Sequence, residues 1–270
     1  MSILEQGFLS PDIVRFIREH RHANAAAFEL AEGLNKTAQK LMAAARVKIE
    51  SESYSEKNLA QLLFVRTLSN FQGAILMAER GAVVEARTLA RTCLETVFAL
   101  AAAVKMDQTF VHKMIANDMG SRRKGANWLL ERSSQDEFLA PESQAELQSF
   151  LDKLQSENTP TSGFPAEDMA RRGGLHDLYI FFRQLSSDAA HPMLDALNRY
   201  ADDGQGHVGG DIMWGPDCGS AEIGPTIELA CCFLLAGTVA FKEIANAADF
   251  DDALEAHWLA YKKLIGDPEA

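Results

Sequence analysis

The sequence predicts an all-α protein, a single large bundle of about seven to nine helices with one long Gly-rich loop. Three observations predict it. Apolar residues recur at helical spacing along most of the chain, punctuated by helix-start signals. No alternating strand pattern of useful length breaks that periodicity. The one long stretch without helical period is "DDGQGHVGGDIMWGPDCGSAEIGP", residues 202–225. With 270 residues, 47% of them hydrophobic and 24% charged, the chain is long enough for one large core. We therefore read 1–270 as one domain, in which a helix or helix pair in 1–55 packs on a core of 56–265.

Each element has its own signal. "SPDIVRFIREH" opens with Ser10 as N-cap, Pro11 at the first helical position and Asp12 in the first turn. Alanine-rich sequence extends that helix, or helix pair, to about Ile49. Ser53 and Glu56 form a capping box for a helix reaching about Arg80. Gly81 separates it from a helix over about 82–105, and Asp107 can cap the next, to about Arg132. Pro141 with acidic neighbours starts another helix. "SENTPTSGFP", 156–165, is a loop by composition. A short helix follows at 166–172, then Gly173 and Gly174, then the helix carrying "LYIFFRQLSSDAAHP". Pro192 interrupts that helix, and a short continuation runs to about Tyr200. Gly209 and Gly210 are prone to a hairpin turn. A long apolar helix over 226–247 and an amphipathic one over 251–265 finish the chain.

Composition excludes several classes. The formal net charge of -12 repels phosphate backbones and argues against nucleic acid as a partner. The N-terminus lacks a basic segment followed by a long apolar one, and the charge-free run 229–241 is short for a bilayer, so we expect a cytoplasmic protein with no membrane span. Cys93, Cys218, Cys231 and Cys232 lack metal-ligand spacing and read as core thiols. No phosphate-binding, dinucleotide-binding, nucleophile-elbow or zinc-protease motif is present. His191, His207 and Asp211 are the nearest approach to a metal set, but paired E-x-x-H helices are missing. We expect neither metal nor cofactor.

Two apolar helices carry polar groups that need explaining. In "TLARTCLETVFALAAAV", residues 88–104, the only charges are Arg91 and Glu95, four apart on one face. Arg before Glu is the less favourable order, which raises the chance that each also reaches another helix. A buried pair would lose roughly 3–5 kcal/mol on truncation of one partner, an exposed one at most about 1 kcal/mol. In the second helix Leu178, Phe182, Leu185 and Ala189 form an apolar stripe beside Tyr179, Arg183, Ser186 and Ser187. Pro192 disfavours the α conformation for His191, so an ideal wheel does not give its direction. Packed together, the helices would place Arg91, Glu95, Tyr179, Arg183, Ser187 and His191 around an inter-helix pocket.

At these residues the chain resembles a bacterial helical family, domain of unknown function five-six-seven-seven. "RTCLE", "NWLLE" with Trp128, and "YIFFRQLSSDAAHP" carry the resemblance, which spans roughly 60–245. It implies a fold and a site, not a reaction. A weaker resemblance is to the HEPN superfamily of helical ribonucleases, in which an arginine precedes a histidine near a helix end. Arg183 and His191 would be its catalytic pair, with Asp188 between them. Their spacing is one residue beyond the usual limit, and Gln184 stands where a different polar residue is usual.

Three functions follow as expectations. The first is an uncharacterised helical protein whose buried polar pocket binds a small anionic ligand. The second is a HEPN-like ribonuclease of a defence or toxin system. The third is a dimeric interaction module without catalysis, since closed two-fold homodimers are the commonest oligomers.

Overall fold

Helical periodicity becomes helices. A computed structural model describes residues 3–45, 54–136, 138–191, 193–201, 212, 214–216 and 218–267. Among these residues there are twelve α-helical segments and no strand. They are α1 (Ile3–Gln6), α2 (Ile13–Ala23), α3 (Ala25–Ala44), α4 (Glu56–Glu79), α5 (Val83–Met106), α6 (Gln108–Asp136), α7 (Pro141–Ser156), α8 (Ala166–Arg172), α9 (Tyr179–Leu185), α10 (Leu194–Asn198), α11 (Ile223–Ala245) and α12 (Asp251–Leu264). The number exceeds the seven to nine expected. One-turn pieces such as α1 and α10 have too little periodicity to read, and a break at Asn24 splits α2 from α3.

The core is the mutual packing of α4, α5 and α11, with α3 and α12 laid against α11, and α8 and α9 against α5. From Val97 to Ala103, α5 is buried all round, which is why its sequence there is apolar on every face. Phe64 of α4 stacks on Phe241 of α11 with centroids 4.2 Å apart. Small residues let the three axes approach. A Cβ on Gly237 would stand 2.9 Å from Val97. Two buried hydrogen bonds cross the α4–α5 contact, from Thr67 Oγ1 to Thr96 Oγ1 at 3.0 Å and from Cys93 Sγ to the Thr67 carbonyl at 3.6 Å.

Helix ends depart from expectation by a few residues. The cap of α4 is Ser55, whose hydroxyl accepts from the Asn58 amide at 3.2 Å. Ser53, expected in that role, lies outside the described residues. Ser10 does cap its turn, accepting from the Asp12 amide, but regular helix starts only at Ile13. Asp107 joins α5 to α6 with a positive φ of 49°. The last long helix begins at Ile223, three residues before the expected start, so Pro225 sits in its first turn, where its missing N–H costs nothing. Gly209, Gly210, His207 and Asp211 lie outside the described residues.

The apolar run 229–241 proves to be the middle of a longer helix. By length and composition Ser220–Ala245 is able to cross a membrane, and 67% of its most apolar window is buried within the protein.

Candidate functional site

One irregularity organises the polar groups. After α9 the backbone does not stay α-helical: Ser186–Ala190 form a turn of π-helix. Such turns are rare and recur at functional sites, because the extra residue re-aims the side chains that follow it. His191 then leaves in an extended conformation, φ -125° and ψ 143°, as the following proline dictates.

The π-turn rests on the face of α5 that carries Arg87, Arg91 and Glu95. Arg91 Nε donates to Ser186 Oγ at 2.8 Å, Nη1 donates to Glu95 Oε2 at 3.3 Å, and the guanidinium lies 4.4 Å above the Phe182 ring. Arg91 therefore holds α5 to α9 and its π-turn. Thr88 Oγ1 reaches the carbonyl of Ala189 at 3.3 Å.

Four charges interlock beside it. Asp188 accepts from Arg87 Nη1 at 2.5 Å and, on its other oxygen, from Arg199 Nη2. Glu222 closes the square, 2.6 Å from Arg87 and 3.5 Å from Arg199. Arg87 Nε donates to Thr226 Oγ1 at 3.2 Å, which ties the square to the first turn of α11. Both arginines are 15% exposed. In so little water, two cations and two anions are stable only as a set. Arg199 Nε is buried and has no hydrogen-bond partner among the described residues.

Neighbouring groups are not primed as nucleophiles. Burial raises the Cys218 thiol above its ordinary range even though the Arg199 charge pulls it down. Burial, with the Glu85 charge second, likewise raises the Tyr200 phenol. A thiol held protonated attacks nothing at neutral pH.

The sequence-predicted residues separate into two sets. Arg91, Glu95 and Tyr179 lie at the α5–α9 contact, Tyr179 through its ring, stacked on His176 and Phe182 and tilted against Phe98. Arg183, Ser187 and His191 are on the outer side. The six do not converge on one buried pocket. Instead, Arg183, Ser187, Asp188, Met193 and Ala196 line an open groove of about 440 Å³ along the outside of the π-turn. The register change is the reason: it turns Asp188 inward and leaves Ser187 facing the groove.

Sequence reasoning misses Arg87, Arg199 and Glu222, and it takes Asp188 only as part of the Arg183–His191 spacing. A signal exists for Arg87, which precedes Arg91 by four residues and so extends the Arg91–Glu95 face by a turn. Arg199 precedes the stretch without helical period and Glu222 lies near its end, and no pattern links them to α5. Among the described residues no cluster of three or more His, Cys, Asp or Glu could hold a metal ion.

Comparison with known proteins gives one match. Residues 57–208, more than half of the chain, match a family described as Family of unknown function (DUF5677). That span includes all six sequence-predicted residues together with Arg87, Asp188 and Arg199, and stops short of Glu222, α11 and α12. The resemblance to HEPN ribonucleases finds no support there. No curated protein matches, and no solved structure does.

Proposed function

The chain belongs to the DUF5677 family, whose membership carries no activity with it, and we propose from the geometry of its α9 face that the protein binds a small anionic ligand. The seat is the groove outside the π-turn. The observation that carries the reading is Arg183. Its guanidinium lines the groove and has no hydrogen bond or ion pair among the described residues.

Asp188 at the groove would repel an anion if its charge were free. Arg87 and Arg199 already take both of its oxygens, so the floor is neutralised. Arg183 then supplies a planar fork matched to a carboxylate or phosphate, and the Ser187 hydroxyl a further donor. A groove of about 440 Å³ has the volume of a small-metabolite site. No group in it is arranged to make or break a bond, so the reading is of a binding protein.

Calorimetric titration with inorganic phosphate, a nucleoside monophosphate and a tricarboxylate tests this. At least one is expected to bind saturably, and Arg183→Ala to weaken it tenfold or more without moving the urea midpoint, because the side chain is exposed. Binding unchanged in Arg183→Ala, or no binding by any of the three, removes the proposal.

A further inference from the structure

We infer that a second, separate cavity takes an apolar small molecule bearing one cationic group. It lies on the other end of α5, between the last turns of that helix, the segment joining α8 to α9, and the outer faces of α11 and α12. Its volume is about 730 Å³, within the range of small-molecule sites. None of its lining residues belongs to the Arg183 groove.

The cavity exists because small residues stand where large ones would fill it. Gly173 crosses Ala101 so closely that a Cβ there would come within 2.9 Å of the Ala102 amide nitrogen. Ala236 and Ala240 face the space from α11. Leu175, Leu235 and Leu254 add apolar wall, so the interior offers a ligand burial of hydrocarbon and little else.

The charge at the rim decides what the polar end of that ligand must be. Six charged side chains line the cavity: Lys105, Lys242, Asp177, Glu243, Asp251 and Glu255. Lys105 pairs with Glu243 at 3.7 Å, and Lys242 pairs with Asp251. Both lysines are thereby spent. Asp177 and Glu255 have no ion pair or hydrogen bond among the described residues, so the rim carries two uncompensated negative charges. Trp258, half-exposed at the same rim, presents an aromatic ring. Carboxylates beside an indole favour an ammonium through Coulomb attraction and the ring's negative face. The ligand class is therefore a hydrophobic amine or quaternary ammonium, with its tail in the cavity.

The probes are octyltrimethylammonium, octanoate and octanol, which share a tail and differ in head charge. Equilibrium dialysis against the full chain gives occupancy, and tryptophan emission, compared with Trp258→Phe, reports the location. The ammonium is expected to bind at one per chain and at least tenfold more tightly than octanoate or octanol. The double variant Asp177→Asn with Glu255→Gln, both surface changes, is expected to abolish that preference while retaining the tail's binding. Ala236→Leu, which fills the cavity, is expected to weaken all three probes. Equal affinity for the three heads in wild type, no saturable binding of the ammonium, or an emission change that survives Trp258→Phe would overturn the assignment.

Discussion

Asp188 accepts from two arginines, while Glu95 accepts from one, and this difference sets what each is worth. The Glu95 side chain is 40% exposed, so solvent screens its pair, and Arg91 keeps Ser186 and the Phe182 ring when the carboxylate is lost. Glu95→Ala is expected to cost at most about 1 kcal/mol, the limit for an exposed pair. Asp188→Ala leaves Arg87 and Arg199, both largely buried, sharing only Glu222. It is expected to cost roughly 2 kcal/mol, less than a fully buried pair because Asp188 retains some contact with water. Urea unfolding of both variants beside wild type measures the order. Equal midpoints for the two would mean that the four-charge square is no more than a surface ion pair.

At the scale of elements, two glycines with opposite surroundings test how the helices are set against one another. Gly125 lies exposed in α6 with nothing within 4 Å of the point where a Cβ would stand, and glycine weakens a helix interior. Gly125→Ala is expected to stabilise by about 0.5–1 kcal/mol. Gly173 is the opposite case, because the obstruction is the Ala101 Cβ at 2.8 Å and backbone of α5 behind it. Neither is the end of a flexible side chain, so Gly173→Ala must push α8 off α5 and is expected to cost about 1–3 kcal/mol. Thermal unfolding of the two single variants reads both signs. A Gly173→Ala protein as stable as wild type would show that α8 is free to shift.

The whole molecule buries two thiols at its centre, and this fixes its response to alkali. Burial pushes the Cys93 thiol up to about 12 and raises Cys231 as well. In the unfolded chain both ionise near the ordinary value of 9.0. Between these limits the folded state holds more protons, so stability is complete below about pH 9 and falls as pH rises through the window. The slope is up to about 1.4 kcal/mol per pH unit for each thiol. Tyr261, raised mainly by burial, adds to the loss in the same direction. Urea midpoints at about pH 8 and about pH 10.5 are expected to drop clearly in wild type and less in Cys93→Ala, each compared with its own neutral value. An identical drop in the two proteins would place the alkaline sensitivity elsewhere.

Local spacing determined the helical class, the positions of α5, α7, α8, α11 and α12, and the pairing of Arg91 with Glu95 four residues on. These depend on contacts within a few residues, which sequence displays directly. It also determined the extended backbone at His191, because the proline ring acts on its immediate neighbour. Tertiary structure alone decided the rest. Whether Ser186–Ala190 wind as α or π depends on how α9 seats on α5, and that one-residue change of register sends Asp188 to the arginines and Ser187 to the groove. Arg87 and Asp188 are 101 residues apart, and Arg87 and Thr226 139. Arg183 and Arg91 each interrupt an apolar helix and look alike as letters. One reaches Ser186 and the Phe182 ring across a packed interface, and the other stands in an open groove, because only the packing of α5 against α9 determines which charge finds a partner.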